Sequence, residues 1–128
     1  MDKKKYVALY KSGKFYNAYG DDAVIIFYLM GYKYSLPKKS AGFPESALTK
    51  VKVALETNNI AYKIYHKNEL VEDAKGIDKQ YTEVIKKGLK KLEMEVRLKD
   101  LYDKLDKFSL EQLERIVEGI EDARLNKE

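Results

Sequence analysis

Few side chains in this chain could do proton or metal chemistry. His66 is the single histidine. As a general base or metal ligand it would need an oriented carboxylate or hydroxyl beside it. Glu69, Glu72 and Asp73 follow closely, but their spacing matches no catalytic or ligand signature, so His66 reads as a surface residue at a strand end. Asp21 and Asp22 form a carboxylate pair of the kind that can hold a divalent cation. They stand directly before the apolar run that starts at Ala23, where acidic side chains cap a helix and complement its dipole. The chain has no cysteine, which excludes disulfides, thiol catalysis and cysteine ligands to zinc. It contains no phosphate loop of the Gly-x-x-x-x-Gly-Lys-Ser/Thr kind. No nucleophile stands with a base. The expectation is a non-enzyme with no catalytic residues, no metal and no cofactor.

What remains is the chemistry of contact. Residues 1–66 carry 11 Lys/Arg against 5 Asp/Glu and hold nine of the eleven tyrosines, whereas residues 67–128 carry 14 against 16. A basic, aromatic first half suits a polyanion, and the balanced second half does not ask for one. Lys14, Lys33 and the adjacent Lys38 and Lys39 are placed to reach phosphates. Lys3-Lys4-Lys5 reads as a solvated basic leader. Phe15 is the side chain on which function turns. Exposed, it could stack on or between bases; inward-facing, it would be an ordinary hairpin core residue.

These residues are positioned by a regular series of elements. Tyr6–Tyr10 and Phe15–Tyr19 read as strands joined by the turn Ser12-Gly13-Lys14, with Gly13 supplying a positive φ. The run Ala23–Met30 is apolar nearly all round and is bounded by the Asp pair and Gly31. It reads as a buried helix with Gly31 as its left-handed cap, and a charge at Ile26 should unfold it. Gly31–Leu36 alternates and reads as the third strand, followed by a loop over Pro37–Ser40. Pro44 suits the first turn of a helix whose apolar stripe is Ala47, Leu48, Val51, Ala54 and Leu55. Asn58-Asn59 ends that helix, and Ile60–His66 is the last strand, with Ile60, Tyr62 and Ile64 on one face. The expected fold is α+β: a small mixed sheet with two packed helices, in the order β-β-α-β-α-β.

The second half changes character. Residues 67–76 are polar and read as a linker. From Ile77 to Asp106 a drifting apolar stripe marks one long helix, with Gly88 inside it as a bend or a close contact. Ser109 and Gln112 form a capping box before the final helix, with Phe108 able to staple onto Leu113. The expected organisation is therefore a domain over 1–66, a linker over 67–76 and a helical hairpin over 77–128. The hairpin stripes must be buried somewhere, which opens homo-oligomerisation through helices 77–124 or docking of a protein partner. No apolar run reaches membrane-spanning length and none resembles a signal peptide, so a cytoplasmic protein is expected, without a membrane partner.

Two stretches carry a family resemblance. Gly13-Lys14-Phe15-Tyr16-Asn17-Ala18-Tyr19, followed by Asp21-Asp22-Ala23, is similar to the motif that opens the N-terminal mismatch-recognition domain of the MutS DNA mismatch repair family. Ala41-Gly42-Phe43-Pro44, followed by Ser46-Ala47-Leu48, resembles that family's segment before the next helix. The resemblance covers about residues 6–66. It implies a DNA-binding module whose partner is duplex DNA, mismatched or branched, with Phe15 as the wedge beside a mispaired base. In bacterial members a glutamate two residues after the Phe hydrogen-bonds that base. Here the position is Asn17, which is neutral and both donates and accepts. The resemblance also places the Lys38–Lys39 loop near the DNA backbone. The family's ATPase does not fit in this length. The competing expectation is a protein-interaction module that uses the helical hairpin and does not bind DNA.

Overall fold

The structure, a computed structural model, describes residues 4–105 and 109–125. Strand β1 (Tyr6–Ser12) turns through Gly13, at φ 60°, into β2 (Phe15–Tyr19). Helix α1 (Asp21–Met30) follows and closes on Gly31, whose left-handed φ of 72° lets its N–H reach the Phe27 carbonyl at 2.9 Å. The hairpin, the helix and its glycine cap all stand where the turn residues place them.

The third strand does not. Gly31–Leu36 is irregular apart from an isolated bridge between Ser35 and Ser40, and β3 is Ser40–Pro44. Both segments alternate, but Ala41 and Phe43 are the side chains that enter the core. Tyr32 packs against Phe43 and Tyr34 meets Phe27 edge-on, so the tyrosines fill the core margin from outside the sheet. Pro44 ends β3 in extended geometry instead of opening a helix. A 3-10 turn, Glu45–Ala47, leads into α2 (Leu48–Thr57). Asn59, at φ 56°, takes the left-handed position after α2.

Strand β4 (Ala61–His66) pairs in parallel with β1, and every other pairing is antiparallel. The segment over 67–76 is not a linker. Lys67 and Asn68, both at positive φ, form a two-residue turn into β5 (Glu69–Ala74), which pairs with β4. The sheet order is β3-β2-β1-β4-β5. Val7, Leu9, Tyr16, Ala18, Ala41, Phe43, Tyr62 and Ile64 alternate onto one face of the sheet. There they are buried with Ala23, Ile25 and Ile26 of α1 and Val51 and Leu55 of α2. Ile26 is fully buried, which explains why a charge there would be ruinous.

Helix α3 (Asp78–Leu105) is bound to this core at its start. Gly76 approaches β4 so closely that a Cβ there would stand 2.2 Å from the Ala61 nitrogen. The Ile77 N–H donates to the Asn59 carbonyl at 2.7 Å. Tyr81 and Val84 are buried, and Gly88 lies against Val24 and Tyr28 of α1, making it a close contact and not a bend. Asp22 ties these pieces together and is no helix cap: Gly20 holds that position, without a side-chain bond. The buried Asp22 carboxylate accepts from the Ala8 N–H at 3.1 Å and the Tyr81 hydroxyl at 2.7 Å, and it pairs with Lys4. Asp21 stays exposed in the first turn, where its charge suits the helix dipole.

The chain divides into two compact units, Met1–Leu92 and Glu93–Glu128, so the boundary falls inside α3 and not at residues 67–76. The second unit holds the remainder of α3 and α4 (Leu110–Leu125). Its capping box is present: Ser109 N–H donates to Gln112 Oε1 at 2.8 Å, and Gln112 N–H donates to Ser109 Oγ at 3.3 Å. The staple expected from Phe108 lies outside the described residues. No described side chain of this unit is buried, and Met94, Leu98, Tyr102, Leu110 and Ile120 are all at least half exposed.

Candidate nucleic-acid interface

Because side chains alternate along a strand, the residues between the core positions share the other face of the sheet. Pairing aligns Tyr10 with Asn17 and Asn17 with Gly42, Ser12 with Phe15, Phe15 with Pro44, and Tyr10 with Tyr65. Tyr6, Tyr10, Phe15, Asn17, Tyr19, Lys63 and Tyr65 therefore lie on one side, and none of them is buried.

Phe15 is the first residue of β2, just past the hairpin turn, and is 54% exposed. Lys14 precedes it, also exposed. The nearby Glu45 is bonded into the same corner, its N–H donating to the Lys14 carbonyl at 2.8 Å, and its carboxylate pairs with Lys11 at 3.3 Å. Asn17 sits two residues on, half-buried, with its carboxamide leaning over Gly42. A Cβ at Gly42 would stand 2.7 Å from Asn17 Oδ1. Gly42 is thus the residue that gives Asn17 its place on the surface.

Lys38 and Lys39 lie in the turn closed by Ser35 and Ser40, and the Gly20 N–H donates to the Lys39 carbonyl at 2.8 Å. That puts them at the opposite end of β2 from Phe15, a strand length of about 13 Å away. Lys33 is exposed in the irregular segment before that turn. The structure therefore brings Phe15, Lys14 and Asn17 together and sets Lys38 and Lys39 at the far end of the same strand.

The tyrosines are the part that sequence reasoning missed. Tyr10 stacks on Tyr65, with ring centres 5.2 Å apart and planes 15° apart, and meets Tyr19 at 6.0 Å. Lys63 and Lys4 place their ammonium groups over the Tyr6 ring, at 4.5 Å and 4.8 Å. Burial first, and then the neighbouring Tyr6, pushes the Tyr10 hydroxyl above the ordinary phenol range. The sequence shows Tyr6 and Tyr10 on one face of β1, but only the β1–β4 register sets Tyr65 beside Tyr10.

His66 closes β4, half-buried, with its Nε2 3.0 Å from the Tyr16 hydroxyl. Among the described residues no cluster of three or more His, Asp or Glu could hold a metal ion, and no described helix is long and apolar enough to cross a membrane.

A sheet covered by helices on one face, with an aromatic hairpin tip and flanking lysines on the other, defines a small α+β domain with one open sheet face. The family model described as MutS domain I matches residues 1–94. The chain belongs to the MutS domain I family, and the match takes in β5 and the first half of α3 as well as residues 6–66. At the level of the family this is a DNA-binding type of module from mismatch repair. A search of the curated proteins finds no match.

Proposed function

We propose that this chain is a non-catalytic DNA-binding module that engages distorted duplex through Phe15. The observation that carries this reading is the placement of Phe15: more than half exposed at the hairpin tip beside Lys14, when an aromatic of its size would gain more by entering the core. Phe15 acts as a wedge that stacks against an unstacked base step, and the cost of unstacking is offset by contacts to the bent duplex. Asn17 offers the neighbouring donor and acceptor to a base edge. Lys14, Lys33, Lys38 and Lys39 take phosphates along the length of β2. Without a carboxylate at position 17, the module reads the deformability of the duplex more than the identity of the mispair.

The test is a fluorescence-anisotropy titration of wild type and Phe15→Ala with perfect, mismatched and branched duplexes at two salt concentrations. Four lysine–phosphate contacts would lower affinity roughly 150-fold between 50 and 200 mM salt. Phe15→Ala should lose the preference for distorted DNA while keeping its circular dichroism spectrum. Absence of binding to every duplex at low salt would overturn the proposal.

A second reading is favoured by one observation, the exposed apolar side chains of the second unit. An assembly role, with α3 and α4 binding a protein partner or a second copy, accounts for them. Sedimentation equilibrium would then show a concentration-dependent mass that Leu98→Glu abolishes.

A further inference from the structure

The open face of the sheet holds more aromatic surface than a wedge needs. Tyr10 lies at its centre, 38% exposed, between the parallel ring of Tyr65 and the tilted ring of Tyr19, which is 53% exposed. Phe15 continues the row past Asn17. On the other flank Tyr6 lies under Lys63, beside a groove of about 460 Å³ lined also by Lys5, Lys75, Asp73 and Asp78. None of these rings contributes to the core cluster. The face is thus neutral and aromatic along the middle. It has cations at both ends: Lys63 at one, and Lys38 and Lys39 beyond Tyr19 at the other.

Charge and shape together select the occupant. A row of aromatic side chains on one face of a sheet, flanked by lysines, is the arrangement on which exposed bases stack while the backbone runs past ammonium groups. A paired duplex cannot use it, because the faces of its bases are covered by their neighbours in the stack. We infer that this face binds an unpaired strand of nucleic acid, its bases stacked on Tyr19, Tyr10 and Tyr65 and its phosphates met by Lys63 at one end and Lys38 and Lys39 at the other. The inference rests on the DNA-binding reading and names the form of DNA that reading leaves open: duplex with an unpaired stretch beside the distortion.

The experiment uses the full chain and a fluorescein-labelled twelve-nucleotide oligothymidylate, followed by anisotropy. Quenching of intrinsic tyrosine emission is read in parallel, which is clean because the chain has no tryptophan. Wild type should bind and be quenched. Tyr19→Ala and Tyr10→Ala should each weaken binding about tenfold with unchanged circular dichroism. Phe15→Ala should weaken binding mainly to distorted duplex. Tyr19 is 53% exposed and outside the core cluster, so its replacement tests the platform with the least disturbance of the fold, and equal affinity there is decisive. Failure of wild type to bind the oligonucleotide, or equal affinity in the tyrosine variants, overturns the inference. If the tyrosine variants match wild type while Phe15→Ala loses distorted duplex, the wedge stands and the platform falls. The opposite pattern keeps the platform and removes the wedge.

Discussion

Replacing Asp22 by Ala should destabilise the first unit by about 2–4 kcal/mol. The carboxylate is 5% exposed and accepts from two buried donors, the Ala8 N–H and the Tyr81 hydroxyl. Each donor left without an acceptor costs roughly 1–3 kcal/mol. The half-exposed Lys4 ammonium returns to water at little cost. Against these losses stands the relief of a buried charge, which lowers the sum. Asp22→Asn keeps one acceptor oxygen and turns an NH2 toward the other donor, so it should cost about 1–2 kcal/mol. Tyr81→Phe should cost a similar amount, and the double variant should cost less than the two together, because both remove the same bond. Urea unfolding followed by far-ultraviolet circular dichroism gives all four free energies. For a unit of this size each kcal/mol moves the melting temperature by about 4–8 °C. An Asp22→Ala variant within 0.5 kcal/mol of wild type, or strict additivity in the cycle, would refute the account of Asp22 as the tie between β1, α1 and α3.

Three further outcomes are expected. Gly88→Ala gains about 1 kcal/mol of helix propensity but puts a Cβ 2.5 Å from Val24 Cγ1 and 3.1 Å from the Val24 carbonyl oxygen; net destabilisation of roughly 1–2 kcal/mol should appear in the same urea experiment. Gly42→Ala should leave stability nearly unchanged but push the Asn17 carboxamide aside, and anisotropy titrations should show altered discrimination among duplexes with little loss of total affinity. Burial first, and then hydrogen bonds to Glu56 and to Asp22, raises the Tyr62 and Tyr81 hydroxyls well above the ordinary phenol value. Their contribution is complete below about pH 10, where the unfolded phenols are still protonated, and is lost as pH climbs toward the folded values. Absorbance at 295 nm should rise at pH 11 in Tyr62→Phe and Tyr81→Phe by no less than in wild type, since neither hydroxyl ionises there, and stability should fall above pH 10 by about 1.4 kcal/mol per pH unit for each.

Local chemistry made much of the first unit readable. Gly13, Gly31 and Asn59 announce their left-handed positions there, and in the second unit the Ser109–Gln112 box is written in four residues. The errors have physical causes. Tyr32 and Tyr34 alternate as strongly as Ala41 and Phe43, and only the core decides which pair enters. β5 escaped notice because an edge strand carrying Glu69, Glu72 and Asp73 is polar, as a protected edge should be. Capping explained Asp22 locally so well that nothing pointed to Tyr81, 59 residues away. Gly76 is required by a backbone approach at ordinary φ, which leaves no mark in the sequence. Within the site, Phe15 and Asn17 were legible through the family motif, whereas the tyrosine row depends on strand register.

The parallel pairing of β1 with β4 has a consequence for synthesis. The middle of the sheet joins residues 6–11 to residues 61–66, and β1 has only β2 beside it until β4 has been made. At about 5–20 residues per second the ribosome leaves one side of β1 bare for several seconds. That side is a row of unpaired peptide groups flanked by Val7 and Leu9, a template for any other extended chain nearby. Slow elongation through residues 12–66 should therefore raise co-translational aggregation, and a hairpin-stabilising change at the β1–β2 turn would not cure it, because the vulnerable edge lies on the other side of the strand.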